Sequence, residues 1–371
     1  MKLILPVFII SIFLMGCGSE QLSDSKNEDS VGIQVITTIQ PEIVTDTVPN
    51  DTDDPAIWID SNNVLNSLVI GTDKDENGGL YVFNLEGKMD TSKSIRDLKR
   101  PNNVDIEYGL MLGGKTVDIA VATERLTHKI RVFSLPDMKA VDNGGIPVFE
   151  GQIGEGFRDL MGIALYKNEA GKIYAIVGRK TGPLDSTYLW QYELGDDGKG
   201  VVAAKLVRKF GQYSGKNEIE AIAVDDESGY VYYSDEGVGV RKYHGDPAKG
   251  NDELALFATK DFTEDNEGIS IYKSGEKTGF IFVSNQQDNS FNIYPREGIA
   301  GDPHHHPLLK NVKVAATESD GSEITSLPLN EKFKHGLFVA MSNNKTFHFY
   351  KPELILGDSL LQANQAIGSR Q

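Results

Sequence analysis

The chain has 371 residues, 39% of them hydrophobic, with 54 acidic residues against 37 basic ones and a formal charge of -17. An acidic balance of this size argues against nucleic acid and against electrostatic attachment to anionic membranes. A single cysteine, Cys17, leaves no disulfide, so the fold must be held by its core, by metals, or by both.

The first stretch is an address rather than fold. Lys2, the apolar run Leu3–Met15 and the small-residue site Leu14-Met15-Gly16-Cys17 make a secretory signal. The run is too short to span a membrane. Cys17 stands where a bacterial lipoprotein signal carries its lipidated residue. Residues 1–16 therefore read as a lipoprotein signal peptide, and the product as an exported lipoprotein anchored at Cys17 at the cell envelope or surface. An ordinary signal peptide with an incidental cysteine is the plainer alternative. Residues 17–32 are polar and acidic, a flexible tether with too little apolar content to fold.

From Ile33 the pattern changes to strands. Ile33–Val44 is a spare strand pattern, followed by one unit repeated six times: an apolar strand, a polar turn, and a second strand ending on an aromatic residue. The copies are Ser67–Lys88, Asp118–Asp137, Ile173–Leu194, Tyr230–Asp246, Gly279–Glu297 and Gly336–Glu353. One more apolar strand precedes each copy: Asp54–Ile59, Val104–Leu110, Met161–Tyr166, Glu220–Val224, Glu267–Tyr272 and Glu323–Leu329. A fourth follows the first five: Ser94–Leu98, Pro147–Phe149, Lys205–Phe210, Leu254–Ala258 and Asn311–Val314. Repeats about 50 to 60 residues apart suit propeller blades. The sixth copy lacks its fourth strand, which Ile33–Val44 can supply, leaving no open edge. No long run has helical spacing before Pro352, and 38 glycines punctuate the chain. Glu353–Ala366 has some helical character, as a terminal helix or a frayed tail. The expected fold is all-β: a six-bladed β-propeller with four-stranded blades over residues 33–353, closed by the N-terminal strand, with a tail at 354–371. Two sandwich domains would explain the even spacing less well.

Innermost strands line the channel of a propeller, so residues at equivalent strand ends meet there. The acids Asp53, Asp54, Asp105, Glu220, Glu267 with Asp265, and Glu323 with Asp320 fall at such ends, and Glu236 lies in a turn above the same face. Like charges this close demand a counter-ion. Oxygen donors without histidine or thiolate select Ca²⁺ ahead of Mg²⁺ or Mn²⁺. Any one of these acids is better explained by a turn whose N–H groups it accepts; their repetition at one end is what favours a metal site. Lys74, Arg125 and Arg179-Lys180 occupy the same turn in three successive blades. Together they suit an anion such as phosphate, although single basic residues are common in exposed turns. Neither a G-x-S-x-G elbow nor a Walker loop is present, so a metal-bound water is the natural attacking group.

Several motifs carry a closer likeness. They are Asp53-Asp54-Pro55-Ala56-Ile57-Trp58, Asn102-Asn103-Val104-Asp105-Ile106, Glu220-Ala221-Ile222-Ala223-Val224-Asp225-Asp226-Glu227, Asp265-Asn266-Glu267-Gly268, Ser284-Asn285-Gln286 with Asn289-Ser290, and His335-Gly336-Leu337-Phe338-Val339-Ala340. In these the chain resembles the β-propeller phytases, calcium-dependent enzymes that remove phosphate from myo-inositol hexakisphosphate (phytate). The likeness runs from Thr45 to Tyr350. It implies several Ca²⁺ ions, with ligands at Asp53 or Asp54 or both, Glu220, Glu236, Asp265, Glu267, Gln286 and Asp320. It also implies phosphate contacts from Lys74, Arg125 and Lys180, with Glu236, Asp54, Glu220 and Lys74 as the catalytic groups. One position departs: Met161 stands where the family has a phosphate-binding tyrosine, and Arg179 is a candidate substitute. The expected partners are phytate or its calcium complex, no nucleic acid, and a membrane only through a lipid on Cys17, with a monomer as the working form. Two other readings compete: a calcium-dependent propeller lactonase or esterase, which needs no basic face, and a non-catalytic surface propeller that binds a partner.

Overall fold

A computed structural model describes residues 37–368. The signal peptide, Cys17, the tether and the first residues of the spare strand lie outside the described residues. Among those described, no helix is long and apolar enough to cross a membrane.

Six antiparallel sheets follow one another along the chain. After β1 (Ile43–Val44), blade one holds β2 (Thr52–Trp58), β3 (Leu68–Asp73), β4 (Gly78–Phe83) and β5 (Ile95–Leu98). Blade two holds β6 (Pro101–Leu112), β7 (Lys115–Glu124), β8 (Lys129–Leu135), β9 (Lys139–Ala140) and β10 (Ile146–Pro147). Blade three holds β11 (Leu160–Lys167), β12 (Ile173–Arg179), β13 (Leu189–Asp196) and β14 (Val202–Phe210); blade four holds β15 (Ile222–Asp225), β16 (Tyr230–Asp235), β17 (Gly239–His244) and β18 (Ala255–Phe257). Blade five holds β19 (Asn266–Lys273), β20 (Gly279–Asn285), β21 (Ser290–Pro295) and β22 (Lys310–Lys313); blade six holds β23 (Ser322–Thr325), β24 (Leu337–Ser342) and β25 (Thr346–Tyr350).

The second strand of each blade is an unbroken or nearly unbroken apolar run because blades pack face to face and bury it on both sides. Leu68-Val69-Ile70, Ile173-Tyr174-Ala175-Ile176-Val177 and Leu337-Phe338-Val339-Ala340-Met341 are examples. Six apolar clusters result, one between each pair of neighbouring blades, the last joining blade six to blade one. The β-propeller expected from the repeats is thus the observed fold. Closure also follows the expectation: β1 pairs antiparallel with β25, Ile43 opposite Phe349 and Val44 opposite His348. Ile39 reaches blade five as well, donating to the Lys313 carbonyl at 2.9 Å and accepting from Ala315 N–H at 3.0 Å.

Two details differ from the sequence expectation. In blade two the outer position is filled by two short pieces, β9 and β10, both paired with β8, rather than by Pro147–Phe149. The tail boundary also moves. Helix α1 (Pro352–Gly368) is interrupted at Gly357, where φ is 72°. Ile355 and Leu356, in its first turn, are fully buried among Phe338, Tyr350 and their neighbours. Lys310 Nζ holds that turn by donating to the Ile355 carbonyl at 2.7 Å.

One irregularity recurs where the inner strands begin, on what we term the upper face. In blades one, two, three and five the pairing skips two residues: Asp53-Asp54, Asn102-Asn103, Met161-Gly162 and Glu267-Gly268. In blades four and six the equivalent pairs, Glu220-Ala221 and Asp320-Gly321, immediately precede the inner strand. Their second carbonyls accept from Ser234 N–H (3.1 Å) and Met341 N–H (3.0 Å) of the next strand. Bulges of this kind re-aim side chains beside functional sites. Three second positions are glycine because the neighbouring blade lies against them. A Cβ would stand 1.9 Å from the Glu220 carbonyl oxygen at Gly162, 2.6 Å from that of Asp320 at Gly268 and 2.7 Å from that of Asp53 at Gly321.

Candidate active site

The first residue of each pair projects into a ring at the channel mouth: Asp53, Asn102, Met161, Glu220, Glu267 and Asp320. Lys74, in the turn after β3, places Nζ 2.7 Å from Asp53 Oδ1 and 2.5 Å from Asp320 Oδ2. Asn102 Nδ2 donates to Asp53 Oδ2 (3.1 Å) and Glu220 Oε1 (2.8 Å). Gln286 Nε2 donates to Asp320 Oδ1. Glu236, in the turn after β16, joins Glu220 and Glu267 so that one carboxylate oxygen from each lies within 4.8 Å of the other two. Glu236 Oε1, Glu267 Oε2 and Asn102 Oδ1 are buried without a hydrogen-bond partner among the described residues.

The electrostatics follow from that crowding. Burial, then the charge of Glu220, pushes Glu236 up to about 8. Burial and the charges of Glu236 and Glu220 hold Glu267 well above the usual carboxylate range. Asp53 is raised chiefly by burial, with Lys74 opposing and Glu220 and Asp320 adding to the rise. Burial would depress Lys74, but Asp53, Glu220 and Asp320 outweigh it and hold the ammonium charged. Oxygen atoms that are buried, converging and unpartnered suit a hard cation.

The sequence placed more residues in this ring than belong to it. Asp54 turns away from Asp53 and accepts Val104 N–H at 3.1 Å. Asp105 accepts Leu165 N–H at 2.6 Å, and Glu323 accepts Ile324 N–H at 2.6 Å. These three line the channel below the ring, a space of about 550 Å³ walled by Ile57, Ile163, Ile222 and Ile269. Asp265 is half-buried on the rim, accepting from Asn217 Nδ2 (3.0 Å) and Gln287 Nε2 (2.9 Å).

The channel acids make a pH dependence. Burial and the charge of Glu323 lift Asp105 to about 8, and burial lifts Glu323 to about 7. Between about pH 4 and pH 8 the folded chain then binds more protons here than the unfolded chain, so stability falls as pH rises. In chelator-treated protein the thermal midpoint should drop across that window. Glu323→Gln should flatten the slope; an unchanged slope would show that Glu323 does not titrate there.

The basic set divides. Arg125 is nearly buried, with Nε donating to the Leu160 carbonyl at 3.1 Å and Nη2 against the Met161 sulfur. Lys180 stands over a cleft of about 750 Å³ that it shares with Asp159, Tyr213, Glu218, Glu236 and Asp265. Its Nζ lies 2.7 Å from Glu218 Oε1. Arg179 does not reach this face. Its guanidinium is fully buried, donating to the Tyr188, Phe157 and Thr187 carbonyls and to Gln152 Oε1, and stacked 4.4 Å from the Phe149 ring centroid. It cannot replace the family tyrosine. Sequence reasoning also missed Asn102 and Glu218. Asn102 was legible as the counterpart of Asp53 in blade two; Glu218 had no signal.

The ring is therefore lopsided. Blades four, five, six and one contribute carboxylates, whereas blades two and three contribute Asn102 and Met161 beneath Arg125 and Lys180. This polarity offers cations one side and an anion the other.

The sequence profile of the family described as Phytase matches residues 3–348. A 3-phytase of Bacillus subtilis (strain 168) is 32% identical over 298 residues, which cover 78% of this chain and 73% of that protein. A luciferin-regenerating enzyme of solved structure superposes with a TM-score of 0.50 at 12% identity, covering 82% of this chain and 92% of that one. That likeness is one of fold alone.

Proposed function

The chain belongs to the phytase family, and from that premise we propose that it releases phosphate from phytate at the channel mouth with calcium held by the acid ring. Phosphomonoesterase activity on phytate comes with the family; the cation and the place of reaction rest on this chain's own residues. The observation that carries them is the trio Glu220, Glu236 and Glu267, whose oxygens converge within 4.8 Å. Two of its atoms, Glu236 Oε1 and Glu267 Oε2, are buried without a partner among the described residues. A donor set of carboxylates and amides fits Ca²⁺. Asp53, Asp320 and the Gln286 amide would complete its surroundings. Bound there, calcium would supply Lewis acidity toward the phosphoryl group and a more acidic water.

The remaining work falls to the protein. Arg125 and Lys180 orient substrate phosphates over the uncharged side of the ring, Arg125 through a planar fork and Lys180 as a point charge. Lys74, tied to Asp53 and Asp320, would be free to turn to a phosphate oxygen if those carboxylates held a cation instead. Asn102 fixes the rotamers of Asp53 and Glu220. Asp54 acts below the mouth, supporting β6 through Val104. With the lipoprotein signal read in residues 1–17, the activity belongs at the cell envelope.

Phosphate release from phytate by chelator-treated protein, with and without added Ca²⁺, tests this reading. We expect release to fall at least about a hundredfold on chelation and to return with Ca²⁺. Full release under chelation would remove calcium from the mechanism. No release in either condition would remove phytate as the substrate.

A further inference from the structure

Arg100 has no role in the site as described so far. It sits between β5 and β6 in left-handed backbone, with φ at 57°. Its N–H donates to the Asp75 carbonyl at 3.0 Å, and its own carbonyl accepts Arg125 N–H at 3.0 Å. The two arginines are thus linked through the main chain on the upper face.

Their surroundings are unusual for so acidic a protein. Arg100 Nε is buried and has no hydrogen-bond partner among the described residues. Among those residues neither Arg100 nor Arg125 forms an ion pair with a carboxylate. The nearest acid in sequence, Glu124, is engaged elsewhere: Oε1 accepts Lys99 N–H at 2.8 Å, Oε2 accepts Thr127 Oγ1 at 2.6 Å, and Arg131 lies 4.0 Å away. The Asp75 carboxylate accepts Asn77 N–H at 3.0 Å. Neither arginine is therefore paired directly with a carboxylate among the described residues. Burial depresses Arg125; the charges of Glu220, Asp53 and Glu218 oppose that, and the neighbouring charge of Arg100 adds to it. A buried, unpartnered guanidinium N–H is costly unless an acceptor arrives. Met161 sulfur is only a weak acceptor for Arg125.

We propose that Arg100 and Arg125 form a two-arginine clamp for one phosphate group of the substrate, Arg100 making the anion contact that Met161 cannot. The clamp rests on the reading of the substrate as a phosphate ester. Two adjacent forks match a phosphate dianion better than a lone lysine does, because each can present paired N–H groups to its oxygens.

The test compares Arg100→Gln and Arg100→Lys with the wild type, all loaded with calcium. Binding of inorganic phosphate is measured by calorimetry, and turnover of phytate is measured in parallel. Arg100→Gln should weaken phosphate binding about tenfold and raise KM for phytate by a similar factor, more than kcat falls. Arg100→Lys should recover part of the binding, and the thermal midpoint should be unchanged. Equal phosphate affinity in wild type and Arg100→Gln would overturn the clamp, even with phytate turned over normally. Weakened phosphate binding in Arg100→Gln, alongside a wild type that does not turn over phytate, would keep the clamp and overturn the substrate reading instead.

Discussion

Glu236→Gln should lower phosphate release from phytate by about a thousandfold while the fold survives. The substitution preserves shape, and the amide oxygen can still accept Glu218 N–H, which lies 3.3 Å from Oε2 in the native side chain. What it removes is a charge, and it adds a donor where Glu220 and Glu267 converge. In metal-free protein this should cost no stability, because Glu236, at about 8, is already largely protonated at neutral pH. Easing the crowding of like charges should leave the thermal midpoint equal or higher under chelation. Added Ca²⁺ should raise the midpoint of the wild type by more than that of the variant, since only binding to the folded state stabilises it. Kinetics on phytate and thermal melts with and without Ca²⁺ decide the matter. An active variant would move the reaction away from this trio.

Lys74→Met should produce the second large effect, and its two consequences separate. The ammonium stands 2.7 Å from Asp53 and 2.5 Å from Asp320, so its loss leaves buried carboxylates uncompensated. Breaking such a pairing typically costs about 3 kcal/mol. That loss should be larger near neutral pH under chelation than at lower pH, because burial raises the Asp53 carboxyl and favours its protonation as pH falls. Calcium should restore most of the stability by neutralising the same oxygens, and it should not restore activity, because the phosphate contact is gone. Denaturant titrations at neutral and lower pH, with kinetics in Ca²⁺, measure the two separately. Recovery of activity together with stability would make Lys74 a counter-ion only.

Strand positions and ring closure could be read from sequence because both depend on local signals: alternating turns, and apolar runs long enough to be buried on two faces. Site membership depended on register, which a bulge shifts without leaving a composition signature. Asp53 and Asp54 are adjacent and identical in chemistry, yet one meets Lys74 and the other lines the channel. Asp105 and Glu323 follow the pairs Asn102-Asn103 and Asp320-Gly321 closely enough to look like ring members, and lie deeper. Arg179 and Lys180 occupy one turn, and only the contacts with Tyr188, Gln152 and Phe149 show that Arg179 serves the core. Arg100 was invisible for the opposite reason. Its significance is the partner it lacks, and sequence does not display missing partners.

The repeated irregularity at the start of the inner strands has a practical consequence. Each blade delivers its share of the site as a two-residue cassette, held by main-chain geometry rather than by the chemistry of its side chains. Acid, amide and thioether already occupy equivalent slots at Glu267, Asn102 and Met161. The first slot of each cassette can therefore be rewritten one sector at a time, while the second is constrained wherever the adjoining blade leaves no room for a Cβ. Converting Met161 to a hydrogen-bonding residue alters the anion side alone. The same freedom lets one scaffold move the balance between cation and anion around its axis without changing how it folds.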